Sequence, residues 1–164
     1  MSAEPTSDKS SQIMPTVVRV GWILLLVSFA VQGIVGYSVA LAIDTPLWDW
    51  HQERVGLALW GEADYPAEAD AYRQWMSALL GGTISCWAVA MIWIVAIPMR
   101  RRESWAWWAI ITSTLVWFSI DTAISALHGV GINVFFNVMA LSMIAIPLAM
   151  TWSWSGSGDE DARQ

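Results

Sequence analysis

The residues of this chain whose types and spacing best suit chemistry are Asp121, Ser125 and His128. With Thr114 and Phe118 they recur at alternating four- and three-residue steps, which places them on one face of a helix. After them, His128-Gly129-Val130-Gly131 reads as a tight reversal, because glycine tolerates backbone conformations closed to other residues. Asn133 and Asn137 then occupy the facing stripe of the returning segment, together with Ala140, Ile144 and Pro147. Asp121 lies roughly 10 Å of helix before His128, and Asn137 lies at a similar depth on the other arm. The expectation is a hairpin in which Asp121 meets Asn137, with Ser125 and Asn133 continuing the polar contact toward His128. Such a contact has two uses: it fixes two helices together through hydrogen bonds, or it offers an ionisable carboxyl to a proton or ligand. His128, beside a turn, fits a solvated or capping side chain better than a ligating one.

Elsewhere the chemical inventory is thin. Gln32 is the only strongly polar member of a stripe formed by Ser28, Gln32, Gly36 and Ala40, and reads as interhelical glue ahead of a ligand-binding role. Ser77, Gly81 and Ser85 recur every four residues, as do Ala78, Gly82 and Cys86, giving small-residue faces where a second helix can approach closely. That is packing rather than chemistry. The single cysteine, Cys86, excludes an internal disulfide, a CxxC pair and a thiolate metal cluster. His51 and His128 are isolated, with no HExxH or paired cysteines, so neither a metal nor any other cofactor is expected. Walker, GxSxG and Rossmann signatures are absent.

The elements that must position these residues follow from composition. In 164 residues, 56% are hydrophobic, 13% are charged and 13 are Trp, which points to a bilayer as solvent. Four apolar runs, at about 17–43, 74–99, 105–127 and 132–152, are each long enough to cross a hydrocarbon core of roughly 30 Å. In lipid they must be helical, since no water satisfies free backbone groups. The fold class expected is therefore an all-α membrane protein, a four-transmembrane-helix bundle. Trp22, Trp75, Trp105, Trp107, Trp108, Trp152 and Trp154 mark the ends of the runs, whereas Trp87, Trp93 and Trp117 lie deeper.

Arg100, Arg101 and Arg102 form the one dense basic cluster, and the positive-inside rule assigns that short connection to the cytoplasm. Alternation then makes both termini cytoplasmic and the loop 44–73 external. That loop carries Asp44, Asp49, Glu53, Glu62, Asp64, Glu68 and Asp70 against Arg54 and Arg73. Within it Thr45-Pro46 is a helix start, and Leu47, Trp48, Trp50, Val55, Leu57, Leu59 and Trp60 supply apolar surface for a short amphipathic helix on the membrane, broken at Gly61 and Pro66. The tails, 1–12 and 155–164, are polar and expected to be disordered. Arg19, its following apolar run and Ala40-Leu41-Ala42 also have the look of a cleavable secretory signal, but the run exceeds the usual length of about 7 to 15 residues, so a retained first span is preferred.

From Trp75 through Thr151 the order of residues is distinctive. A Gly81-Gly82 pair and Trp87 precede a Pro-terminated span, then Arg100-Arg101-Arg102-Glu103-Ser104-Trp105, Trp117-Phe118-Ser119-Ile120-Asp121-Thr122 and Asn133-Val134-Phe135-Phe136-Asn137. This half of the chain resembles small bacterial four-span membrane proteins of unknown function, and more loosely the architecture is similar to DoxX-like four-helix proteins. The resemblance implies a fold and a bacterial inner membrane, and no mechanism. Small multidrug-resistance transporters share the span number but carry a coupling Glu in the first span, where this chain has only Gln32. Vitamin K epoxide reductase-like enzymes need a membrane cysteine pair, and Cys86 is alone.

The function expected is that of a non-enzymatic accessory or interaction subunit, partnered by the lipid bilayer and by other membrane proteins or a second copy. The formal charge of −6 resides mainly in loop and tails and argues against nucleic acid. The alternative is a small transporter or ligand-binding protein with Gln32, Asp121, Ser125, Asn133 and Asn137 lining an outward-facing cavity. A third reading is a membrane enzyme or cofactor protein using Asp121 with His128.

Overall fold

The computed structural model describes residues 14–154, so the expected tails at 1–12 and 155–164 lie outside the described residues. Five α-helices follow in order: α1 (Thr16–Ala42), α2 (Pro46–Trp60), α3 (Ala67–Ile94), α4 (Ser104–Leu127) and α5 (Gly131–Met150). α3 runs on through a π-helical turn, Val95–Met99, and a short 3-10 turn, Trp152–Trp154, follows α5. Four of them, α1, α3 with its extension, α4 and α5, are long and apolar enough to cross a membrane. The shortest has 20 residues, about 30 Å at the usual helical rise. This is the four-helix membrane bundle that the hydropathy pattern requires, with a shorter helix between the first two spans.

α1 is the centre of the bundle, packing chiefly against α3 and α5, while α4 packs on α5. Its seam with α3 is a close backbone approach. A Cβ added at Gly36 would lie 2.8 Å from the Gly81 carbonyl oxygen, and one added at Gly81 would collide with the Gly36 carbonyl and the Ala40 backbone. Ser85 donates to the carbonyls of Gly33 (3.1 Å) and Gly81 (2.9 Å) from the same seam. Gly81 and Ser85 thus face α1. The neighbouring row does not: Ala78, Gly82 and Cys86 are exposed, and a Cβ on Gly82 meets nothing within 4 Å. One residue turns a helix by about 100°, so adjacent small-residue rows cannot both face the same partner. Gly82 therefore does not serve helix packing within the chain.

α1 meets α5 at Gly21, whose added Cβ would come 2.8 Å from both Met150 Cβ and the Pro147 carbonyl oxygen. Farther along, the Ser28 hydroxyl donates to Met143 O at 2.7 Å. Large apolar side chains fill the half of the bundle near the Arg100–Arg102 turn. Leu25, Phe29, Met91, Val95, Met99, Ala106, Trp107, Ile110, Ile144 and Leu148 form one buried cluster there. Two tryptophans expected at the membrane boundary belong to this structural set. Trp107 is buried and donates to Leu148 O (3.3 Å), and half-buried Trp22 donates to Val95 O (2.8 Å) in the π turn. Pro98 removes a backbone donor in that turn, which explains the local loss of α-helical register.

The connections have clear chemical causes. α4 ends in a Schellman pattern, with Gly129 N–H bonded to Ala126 O and Val130 N–H to Ser125 O, and Gly129 takes a φ of 72°. The same pattern closes the π turn, but there Arg102 occupies the left-handed position, at φ 64°, and its guanidinium lies 3.8 Å from the Trp154 ring centroid. α3 starts at Ala67 rather than at Gln74, about two turns before its apolar stretch. Glu68 and Asp70 in its first turn suit the positive end of a helix dipole. Arg73 then pairs with Asp70 and with Asp44, tying the start of α3 to the end of α1.

Candidate functional site

The α4–α5 hairpin gathers the polar residues on the side of the bundle remote from the Arg100–Arg102 turn. Asp121 is half-buried, and its Oδ1 accepts from Ser125 Oγ and Asn133 Nδ2, both at 3.1 Å. Asn133 Nδ2 also donates to Ser125 Oγ at 3.0 Å, closing a three-residue network around the buried serine. Beside it, buried Asn137 donates to Thr122 Oγ1 at 3.2 Å. These bonds satisfy groups that would each be costly to leave bare among apolar helices.

The partner expected for Asp121 is therefore corrected: Asn133, not Asn137, reaches it. A four-residue step overshoots a full turn by about 40°, and neighbouring residues are about 100° apart. Asn133 and Asn137 thus stand on slightly different lines of α5, facing Asp121 and Thr122, which flank one another on α4. The contact is two adjacent pairs rather than one continuous stripe.

His128 does not join the network. It is the exposed C-cap of α4. Gln32 does not join it either; among the described residues its side-chain amide reaches Ser28 O of its own helix, at 3.4 Å. The histidine that does approach is His51, carried by α2. It lies against Phe136 (centroids 5.9 Å) and Trp48 (5.7 Å, edge to face), with its Nδ1 buried and without a hydrogen-bond partner in the described residues. Burial pushes its pKa below the ordinary histidine value, and the neighbouring Asn133 side chain opposes that shift more weakly. In the sequence His51 reads as an isolated histidine on the expected outer helix, with nothing to tie it to Asp121. The available signal was the three- and four-residue spacing of Trp48, His51 and Val55, which sets one side of α2 toward the bundle.

α2 begins at Pro46 and ends at Trp60, where Gly61 caps it at a φ of 78°. Its apolar residues do not gather on one side. Trp48, His51, Gln52 and Val55 are half-buried, whereas Leu47, Trp50, Leu57, Leu59 and Trp60 stay exposed. Between α2 and the beginning of α5 runs a groove of about 590 Å³, lined by Trp50, Arg54, Leu57, Ala58, Gly129, Gly131, Ile132 and Phe135. Asp121, Ser125, Asn133 and Asn137 are not part of its wall. Among the described residues, no group of three or more His, Cys, Asp or Glu side chains is arranged to hold a metal ion.

The fold and the site together define a multi-pass helical-bundle membrane protein. No family model, curated protein or solved structure matches the chain. Its chemistry has to be argued from its own residues.

Proposed function

We propose that this protein is a non-enzymatic accessory or interaction subunit of a bacterial cytoplasmic membrane. Its termini and the Arg100–Arg102 turn face the cytoplasm, and α2 lies on the outer surface. The observation that supports a non-enzymatic reading most is the closure of Asp121 onto Ser125 and Asn133, with the nearby groove lined by other residues. A carboxyl engaged in fixing two helices serves assembly, whereas a transport site needs that carboxyl to face an open cavity. The three arginines at one end and Asp49, Glu53, Glu62, Asp64 and Glu68 at the other support the orientation. The outer loop and the exposed Ala78, Gly82 and Cys86 row are the surfaces for a membrane partner or a second copy.

Purification in mild detergent followed by mass spectrometry tests the role. A stoichiometric membrane partner or a defined oligomer is expected, and a lone, monodisperse chain would contradict it. Orientation is tested separately by a Ser104→Cys label site in a Cys86→Ser background. Reaction with an impermeant reagent in intact cells would reverse the assigned sidedness.

A further inference from the structure

The groove beside α2 combines features that the accessory role does not use. We propose that it binds an anionic phospholipid, with the phosphodiester at Arg54 and an acyl chain running down the outer face of α5. This inference requires only that the bundle sits in a bilayer, and stands whether or not the protein is an accessory subunit.

Charge supplies the first argument. Two arginines stand on this acidic side of the molecule, Arg54 and Arg73. Arg73 is occupied by Asp44 and Asp70. Arg54 forms no ion pair among the described residues; its guanidinium instead lies 5.4 Å from the centroid of the Trp50 ring, within the groove wall. A guanidinium held over an aromatic ring keeps its planar donors free for a phosphate. Gly131, the first residue of α5, lines the same groove, so the positive end of that helix adds to the attraction for an anion.

Shape selects a lipid over a soluble anion. The remaining wall is apolar, made by Leu57, Ile132 and Phe135. From Phe135 an exposed line continues through Val138 and Met139 along α5, at helical spacing, toward the middle of that span. A free phosphate leaves this surface unused, whereas an acyl chain covers it. A zwitterionic headgroup places its own cation near Arg54 and is disfavoured by like-charge repulsion.

The test uses the full chain in mild detergent, titrated separately with phosphatidylglycerol, phosphatidylcholine of the same chains, and inorganic phosphate. Retention is read by native mass spectrometry and stabilisation by thermal melting. Phosphatidylglycerol should be retained about tenfold better than phosphatidylcholine, the scale of one charge-assisted hydrogen bond. Arg54→Gln should erase that preference, while Arg101→Gln, at the opposite end, should keep it. Ala58→Trp, which fills the groove with Arg54 intact, should lose retention as well and guards against misfolding of the first variant. Equal retention of the two lipids, an unchanged preference in Arg54→Gln or Ala58→Trp, or full stabilisation by inorganic phosphate alone would each overturn the proposal.

Discussion

The two helix seams of this bundle, α1 on α3 and α4 on α5, solve the same problem with different chemistry. Lipid gives two apolar helices little reason to associate, so contact must come from close packing or from polar groups that lipid cannot satisfy. The α1–α3 seam uses the first means. Gly36 and Gly81 remove side chains so that backbones touch, and Ser85 adds a cross-helix hydrogen bond beside them. The α4–α5 seam uses the second, through Asp121, Ser125 and Asn133, with Thr122 and Asn137 beside them. The first seam has no room for substitution and no chemistry to offer. The second has both, because hydrogen-bonding side chains tolerate replacement by similar groups.

This contrast is easiest to break at Gly81. Gly81→Leu drives a side chain into the Gly36 carbonyl and the Ala40 backbone, and should cost about 3 kcal/mol or prevent assembly. A detergent melt within a degree of the parent protein would show that the α1–α3 contact does not hold the bundle. The polar seam should give way more gently. Asp121→Leu strands Ser125 and Asn133 and should cost about 1–2 kcal/mol, while Asp121→Asn keeps an acceptor oxygen and should be nearly neutral. If Asp121→Asn stays stable yet abolishes a measured transport activity, the carboxyl acts through its charge and the structural reading of this seam fails.

A smaller effect concerns α2, which leans on the polar seam through His51. Because burial holds the folded-state pKa of His51 below its unfolded value near 6.5, protonation favours release of the helix. The docking contribution is complete above about pH 7 and is lost as pH falls from 6.5 through the depressed folded-state value. Hydrogen-exchange protection over 46–60, corrected for the intrinsic pH dependence of exchange, should therefore fall between pH 7 and pH 5, and His51→Gln should flatten that dependence. The smallest effect is expected at Gly82, one residue from the most sensitive site. Gly82→Leu points into open space and should leave the melting temperature of the isolated chain unchanged. A loss comparable to that of Gly81→Leu would mean that the wrong row has been assigned to the seam.

How much of this was legible in the sequence depended on how local the cause was. The four spans were readable because hydropathy over about 20 residues is a property of each segment alone. The start of α3 was not, since hydropathy reports where lipid begins, whereas the first turn of α3 is polar, with Glu68 and Asp70 at the positive end of the helix dipole. The choice between the Gly81 and Gly82 rows was not available either, because both repeat every four residues and only the position of α1 decides between them. For Asp121 the right arm of the hairpin was identifiable, but a rotation of about 40° per four-residue step separated the true partner, Asn133, from the depth-matched one, Asn137. His51 reaches the seam from a different element, a relation that no spacing along α4 or α5 encodes.

The central place of α1 has a consequence for biogenesis. Among the four spans described, α1 is made before both of its walls: α3 supplies one and α5 the other. Ser28 and the carbonyl it binds on Met143 are 115 positions apart. At about 5–20 residues per second, that interval is on the order of ten seconds, during which α1 rests in the membrane with Gly21 and Ser28 turned to lipid. The α4–α5 hairpin, by contrast, forms from neighbours in the chain as soon as both arms are inserted. Completion of the four-span contact is timed by α5, and a nascent chain arrested after α4 presents the insertion machinery with an α1 that lacks the wall α5 supplies.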